Sequence, residues 1–282
     1  MIHIKTEKIF DSWGEKLYVD SYKDVMSIDN NILREIITQR NIIVIKGLPA
    51  DLKDDEFYAL GDKFGKVWTQ EDYRKTFIAH GSDPTIDHTT STPVSYFQTN
   101  NNMFKDNYMA YHADMAHIKE NSYPGRALYM VNNTHDGSGV TTWLNLEYSW
   151  QQMTEQERNA YAGCELIFQD FYVPGTRMEK LPFTKINPKT GKVSPRANCY
   201  AGDNNRKAWI SHAVLNGVEL TFKQTGVLLT NLYKLLETKQ NVLYNHRWVE
   251  GDIIFYDNWF NVHRRDKVNG TRLLKRLTFN FY

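Results

Sequence analysis

The sequence predicts a mainly β fold with flanking helices. Short runs rich in β-branched and aromatic residues recur along the chain, at 42–45, 127–131, 252–256 and 272–281. Helical patterns are fewer and lie between these runs. In a chain of 282 residues, an apolar content of 41% is enough to fill a substantial core. We therefore expect a β-rich core with helices packed around it.

The first predicted strand and helix lie close to the N-terminus. Residues 42–45 are four consecutive β-branched apolar side chains followed shortly by Gly47, which is typical of a buried strand. Residues 51–64 then repeat apolar side chains at helical spacing, and Gly65 marks the end of that helix. The N-terminal part of the chain thus predicts one strand that leads into one helix.

Two further helices are predicted in the second half of the chain. Thr154 and Glu157 have the spacing of a capping box, so a helix should begin at Thr154 and end near Gly163. The longest predicted helix covers residues 218–237. No repeat or long linker separates these elements, and we expect a single domain over residues 1–282.

Composition and charge exclude several classes of protein. The formal net charge is +1, so the sequence shows no charge pattern suited to nucleic acid or to an anionic membrane. No run of about 18 apolar residues is present, which excludes a membrane span on length. Cys164 and Cys199 lack the spacing of a metal site, and we expect both to be reduced in a cytoplasmic protein. The expected partner is a small molecule, and a homo-oligomer remains open.

A candidate metal site begins with His112 and Asp114, two residues apart. In an extended strand this spacing points both side chains to one face, where both can bind one ion. Far downstream, residues 251–258 predict a strand and a turn that deliver His263. Two histidines and one carboxylate are the facial ligand set of non-haem Fe(II) oxygenases. On the His112–Asp114 pair alone, a hydrogen-bonded surface or core histidine with no metal is the more common interpretation.

The C-terminal strand pattern alternates in polarity. Arg272 and Arg276 fall on one face, and Leu277 and Phe279 fall on the other. The polar face fits either a solvated surface or the lining of a pocket. A guanidinium suits a pocket for a carboxylate because its planar fork makes two parallel hydrogen bonds.

Together, these motifs resemble the taurine dioxygenase-like family of 2-oxoglutarate oxygenases over roughly residues 35–282. Four matches carry the resemblance, in the order and at the separations of the family. They are the His112-x-Asp114 pair, the stretch Gly139-Val140-Thr141-Thr142-Trp143, the block Trp248-x-x-Gly251-Asp252…Asp257-Asn258…His263, and the pair Arg272 and Arg276. The family fold is a double-stranded β-helix, or jelly roll, with helices that buttress one sheet.

The resemblance implies roles for six residues. His112, Asp114 and His263 would hold Fe(II), and no catalytic residue is implied beyond these ligands. Thr141 and Arg272 would bind the distal carboxylate of the co-substrate 2-oxoglutarate, while Arg276 would face its other end or an anionic group of the substrate. The enzyme would use O₂ to oxidise a C–H bond of a small molecule, with release of succinate and CO₂. Hydroxylation is the expected outcome, since halogenating relatives carry a small residue where Asp114 stands.

The resemblance leaves the substrate open. Taurine dioxygenase itself binds its sulfonate with a histidine and an asparagine ahead of the metal pair, whereas Tyr108, Met109 and Tyr111 precede His112 here. Taurine is therefore not implied, and the choice among an amino acid, a carboxylic acid and a sulfonate stays open, as does desaturation or cyclisation. Two other functions compete with the oxygenase. They are a zinc-dependent hydrolase using the same three ligands, and a non-catalytic small-molecule binding or sensing protein on the same fold.

Overall fold

Two β-sheets enclose the centre of the protein in the computed structural model. The structure describes residues 4–72, 75, 94–98, 108–114, 124–133, 136–169, 177–187, 191–196, 198 and 210–280. The first sheet consists of β1 (Lys5–Lys8), β2 (Glu15–Tyr18), β3 (Ile42–Lys46), β4 (Lys66–Val67), β5 (Ser95–Gln98), β7 (Pro124–Asn132), β16 (Ile253–Asp257) and β18 (Leu273–Asn280). Its strand order is β1-β2-β3-β16-β7-β18-β4, with β5 also paired to β18.

The second sheet has four antiparallel strands. They are β6 (Met109–His112), β8 (Thr141–Asn145), β15 (Leu243–His246) and β17 (Asn261–Arg265), in the order β15-β8-β17-β6. Two smaller sheets lie between β8 and β15 in the chain. One orders β10 (Arg177–Pro182), β9 (Glu165–Gln169), β13 (Ile210–Leu215) and β14 (Val218–Glu219), and the other pairs β11 (Thr184–Ile186) with β12 (Val193–Pro195).

Six helices lie wholly within the described residues. They are α1 (Tyr22–Ser27), α2 (Asn30–Arg40), α3 (Asp54–Phe64), α4 (Leu146–Gln151), α5 (Glu155–Asn159) and α6 (Phe222–Glu237). Helices α1 to α3 cover the outer face of the first sheet, where Phe64 stacks on Phe255 with ring centroids 3.8 Å apart. Helix α6 packs on the outer face of the second sheet through Leu229, Leu232 and Leu236.

The inner faces of the two sheets meet in a third buried cluster. Leu128 and Tyr256 from the first sheet pack there with Trp143 from the second. Since side chains alternate along a strand, each sheet turns one set to its helices and the other set inward. This layering of helices, sheet, sheet and helices confirms the predicted mainly β fold with flanking helices.

The predicted strands and helices are present, but several begin or end at other residues than predicted. Strands predicted at 42–45, 127–131, 252–256 and 272–281 correspond to β3, β7, β16 and β18. The helix predicted over 51–64 begins later, at Asp54, because Lys53 is its N-cap: the carbonyl of Lys53 accepts from the backbone N–H of Phe57, and the N–H of Lys53 donates to the side chain of Glu56. The helix predicted to start at Thr154 has the expected capping box, but its regular part is short and ends at Asn159.

The prediction for the longest helix was wrong at its beginning. Residues 218 and 219 form β14, which pairs with β13, and the helix starts only at Phe222. The hydroxyl of Thr221 caps it by accepting from the backbone N–H of Gln224, and the side-chain oxygen of Gln224 accepts from the backbone N–H of Thr221. The capping box at Thr221 therefore sets the true start of α6.

The structure tests only part of three further expectations, on membrane spans, cysteines and domain number. Among the described residues, no helix is long and apolar enough to cross a membrane. Cys164 is a buried free thiol, whereas Cys199 lies outside the described residues. The assignment of residues 1–282 to a single domain stays a prediction.

Candidate metal and co-substrate site

Two histidines of the second sheet form the base of the site. His112 ends β6, and His263 lies in β17, directly opposite it in the antiparallel register. Both side chains are buried, and their ring centroids are 4.2 Å apart. Strand pairing thus brings together two imidazoles that are 151 positions apart in the sequence.

Asp114 joins the histidines from a turn rather than from a strand. The expectation that the strand would continue through Asp114 was wrong, because β6 ends at His112. The side-chain amide of Asn258 holds Asp114 in place through two hydrogen bonds. Its Oδ1 accepts from the backbone N–H of Asp114 at 3.2 Å, and its Nδ2 donates to the carbonyl of Asp114 at 2.6 Å.

These three side chains converge on one point. His112, Asp114 and His263 each offer one ligand atom, and these atoms all lie within 4.8 Å of one another. The expected ligands therefore share one site in the fold, although they come from a strand end, a turn and a second strand.

Burial and neighbouring charges hold all three groups in their metal-binding forms. Burial lowers the pKa of His112, and burial together with the nearby His112 lowers the pKa of His263 well below its usual value. Burial opposes ionisation of Asp114, but the guanidinium groups of Arg276 and Arg126 outweigh it and hold the pKa of that carboxyl well below its usual range. The site thus presents two neutral imidazoles and one carboxylate.

Two arginines of the first sheet contact the same carboxylate oxygen. Nε of Arg126 and Nη1 of Arg276 each lie 3.3 Å from Oδ2 of Asp114. Arg276 was expected near the site, whereas Arg126 in β7 was missed. A charged residue within an otherwise apolar strand was the signal in the sequence that could have found it.

A buried polar group beside the triad contains Arg272 and Thr141. Arg272 lies just before β18, and its Nη1 donates to the carbonyl of Gly139 at 2.7 Å. Its Nη2 is 3.5 Å from Oγ1 of Thr141, which also accepts from the indole N–H of Trp248 at 2.8 Å. Burial and the nearby Arg265 lower the pKa of Arg272 to about 9. This environment favours an anionic ligand at the guanidinium.

The Trp248 side chain is itself fixed by a buried polar cluster. His246 meets its ring edge-on, with centroids 4.6 Å apart, and Nε2 of His246 lies 3.0 Å from Oδ2 of Asp252. The same oxygen accepts from Nζ of Lys46 at 2.6 Å. Trp248 therefore fixes the hydroxyl of Thr141, and Asp252 supports Trp248 through His246.

A cavity between the two sheets connects these groups. Its described lining combines the triad, cationic groups and apolar side chains: Phe97, Gln98, Met109, His112, Asp114, Leu128, Thr141, Tyr256, His263, Arg265, Arg272, Leu274 and Arg276. Arg272, just before β18, and Arg276, within β18, both line this cavity. Arg265 was not anticipated, although it follows His263 at strand spacing and so shares its face.

Comparisons of sequence and of structure identify known proteins to which this chain is similar. Residues 5–278 match the sequence profile of the taurine catabolism dioxygenase TauD, TfdA family. No curated protein is similar enough in sequence to match. Three solved structures share the fold at low identity, over 98% of this chain in each case.

The first is a taurine dioxygenase from Burkholderia xenovorans, with 15% identity, 90% of its chain covered and a TM-score of 0.69. The second is PvcB from Pseudomonas aeruginosa, with 17% identity, 91% of its chain covered and a TM-score of 0.73; a further structure describes PvcB as an Fe, alpha-ketoglutarate dependent oxygenase from an isonitrile synthetic pathway. The third is AAD-2 in complex with Mn(II) and N-oxalylglycine, with 11% identity, 97% of its chain covered and a TM-score of 0.70. At these identities the similarity shows the jelly-roll fold.

Proposed function

We propose, from the premise that this chain belongs to the taurine catabolism dioxygenase TauD, TfdA family, that its reaction takes place in the cavity between the two sheets. The protein is an Fe(II)- and 2-oxoglutarate-dependent dioxygenase. The reaction we propose is hydroxylation of a C–H bond in a small molecule, with release of succinate and CO₂. The observation that carries this proposal is the convergence of His112, Asp114 and His263 on one point.

The donor set of this triad fits Fe(II). Two neutral imidazoles and one ionised carboxylate are the ligands of the facial triad, which leaves other positions on the metal for co-substrate and O₂. Bound iron would supply the activation of O₂, coupled to decarboxylation of 2-oxoglutarate. The protein side chains would supply ligand orientation, charge and exclusion of water. Metal ligands must be deprotonated, and the lowered pKa values of all three groups meet this requirement.

Arg272 and Thr141 fit the distal carboxylate of 2-oxoglutarate. A carboxylate at this guanidinium would gain charge-assisted hydrogen bonds in a buried site, where such bonds are strongest. Thr141 would donate its hydroxyl proton to that carboxylate, because its oxygen already accepts from Trp248. The backbone carbonyl of Gly139 fixes the orientation of the guanidinium fork. We infer that these contacts hold the co-substrate by the end remote from the metal.

Arg276 fits an anionic group of the substrate. It lies between the triad and the cavity, with its guanidinium 4.4 Å from the ring centroid of Phe97 and 3.3 Å from the carboxylate of Asp114. The apolar side chains of Leu128 and Leu274 line the same cavity. A substrate with an apolar body and one acidic group would match this lining. The anionic character of the substrate and the role of Arg276 are both parts of the proposal.

The direct test is anaerobic addition of Fe(II) and 2-oxoglutarate to the purified protein. A ferrous ion chelated by a keto acid gives a weak visible charge-transfer band, and we expect that band at saturating ligand. Its absence would count against the metal and co-substrate assignment. A panel of amino acids, carboxylic acids and sulfonates, screened for compounds that stimulate succinate formation, would then identify the substrate class.

A further inference from the structure

A buried arginine outside the family-like motifs faces the proposed metal site. Arg126 lies in β7, and only 1% of its surface is exposed. It shares a strand face with Leu128, which lines the cavity, whereas Ala127 packs in the helix-facing cluster. The pleat of β7 therefore directs this guanidinium toward the site.

The ionic partner of Arg126 is the carboxylate of Asp114. A guanidinium inside a sheet is costly to bury unless it is paired. Its Nε lies 3.3 Å from Oδ2 of Asp114. The other oxygen, Oδ1, lies 4.0 Å from Nε2 of His112 and so faces the imidazoles. The two carboxylate oxygens thus have different environments, one cationic and one beside the metal-binding point.

Asp114 depends on outside contacts for its orientation because it stands beyond the end of β6. Asn258 fixes its backbone through two hydrogen bonds, but those bonds leave the side chain free to rotate. We propose that Arg126 is a positioning residue that holds Oδ2 of Asp114 and thereby keeps Oδ1 directed at the metal. This inference rests on the proposed function, since it needs a metal at the triad.

Arg276 contacts the same oxygen but differs in exposure. Its side chain is 23% exposed and lines the cavity, whereas the side chain of Arg126 is 1% exposed and is not among the described lining residues. An anionic ligand in the cavity can therefore draw Arg276 away from Asp114, but it cannot reach Arg126. Arg126 holds the carboxylate in either case.

The test measures binding of Mn(II) alone to the apoprotein, using the EPR signal of the free ion. Arg126→Met removes the charge and keeps a long side chain, and we expect Mn(II) binding to weaken by roughly 10- to 100-fold, as when a partner of a metal ligand is lost. A pure charge effect has the opposite sign, because removing a cation near the site favours a divalent ion. Weaker binding is therefore the signature of positioning, and Arg126→Lys should recover most of the loss.

Lys275→Met is the matched control. It removes another buried cation from the neighbouring strand β18, but on the helix-facing side, where its Nζ contacts Asp54 at 2.8 Å. We expect this variant to lower the apoprotein Tm and to leave Mn(II) affinity unchanged. In an Asp114→Ala background, Arg126→Met should cause no further loss of Mn(II) affinity, because their coupling requires both side chains.

The outcomes separate this inference from the function on which it rests. If the wild-type protein binds no Mn(II), the proposed metal site fails and the inference fails with it. If the wild type binds and Arg126→Met lowers only the apoprotein Tm, or strengthens binding, Arg126 has a structural role and the inference alone is wrong. Should Arg126→Met not fold, Arg126→Gln replaces it with the same expectation.

Discussion

His112 and His263 are direct cross-strand partners in β6 and β17, with ring centroids 4.2 Å apart. Their separation is therefore set by a backbone ladder rather than by loops. Trp143 stacks on the other side of His263, with centroids 6.1 Å apart. The two imidazoles are thus held in place by packing before any metal binds.

From this arrangement we predict that His112→Ala and His263→Ala each abolish turnover and leave the protein folded. The strand ladder does not depend on the imidazoles, and an open catalytic metal site is not a structural clamp. Circular dichroism and thermal unfolding would report the fold, and succinate formation would report turnover. His212→Ala in β13 is the control and should keep full activity. Unfolding of either triad variant on purification would show instead that the histidine has a structural role.

The two arginines of the C-terminal segment should have separable effects. Arg272→Ala should raise the KM for 2-oxoglutarate by roughly 30-fold or more, since loss of a charge-assisted contact in a buried site costs about 2–5 kcal/mol. Arg276→Ala should weaken the prime substrate or misplace the keto-acid end, and so uncouple decarboxylation from substrate oxidation. Succinate and product would be measured separately across a titration of 2-oxoglutarate.

Either of two results would change these assignments. A large KM shift in Arg276→Ala alone would exchange the roles of the two arginines. If neither variant shifts the KM, the co-substrate lies elsewhere in the cavity.

The sequence predicted the elements whose signal is local. Alternation along the C-terminal strand placed Arg272 and Arg276 on one face, and both line the cavity. The same rule applied to β17 would have found Arg265, two residues after His263. The prediction that the strand includes Asp114 was wrong. The position of Asp114 is set by the amide of Asn258, 144 residues away, and no local sequence pattern indicates such a contact.

Arg126 shows a different limit of sequence analysis. Its strand was predicted only over the apolar run 127–131, so Arg126 lay just outside the predicted strand, which in the structure begins at Pro124. Its partner Asp114 is 12 positions upstream, but the contact requires two sheets to face each other. Tertiary packing decides whether such a charge is solvated or buried against a partner, so the sequence alone left its role undefined.

Gly139 gives a prediction about the support of Arg272. Its φ is +69°, and a Cβ there would lie 2.7 Å from Cγ2 of Val268 and 3.0 Å from Nη1 of Arg272. Gly139→Ala should therefore displace the carbonyl that fixes the guanidinium and raise the KM for 2-oxoglutarate. The measurement is a 2-oxoglutarate titration of succinate formation.

Gly137→Ala is the matched control for this effect. Gly137 has a similar φ of +75°, but an added Cβ would meet only the end of the Arg247 side chain, at 3.4 Å. Both variants should lose about 1 kcal/mol of stability from backbone strain. Only Gly139→Ala should change the KM, and an equal KM shift in both variants would attribute the effect to the loop as a whole.

Three buried histidines make the apoprotein sensitive to acid. Burial is the largest cause that lowers the pKa of His112, His246 and His263 in the folded state. An unfolded histidine has a pKa of about 6.5, so below that pH the unfolded chain binds more protons than the folded chain. The stabilisation from these histidines is therefore complete above about pH 6.5. It is lost as the pH falls toward the lower folded-state pKa values, by up to about 1.4 kcal/mol per pH unit for each proton.

Urea unfolding of the apoprotein from pH 8 to pH 5.5 should show this decline in the free energy of unfolding. His263→Gln should make the decline shallower because one of the three groups no longer titrates. Saturating Mn(II) should raise the free energy of unfolding throughout this range, since the metal binds the folded protein with neutral imidazoles. A free energy of unfolding that stays flat or rises below pH 6.5 would mean that these imidazoles are already charged in the folded protein, and the site would then have to be reconsidered as a metal centre.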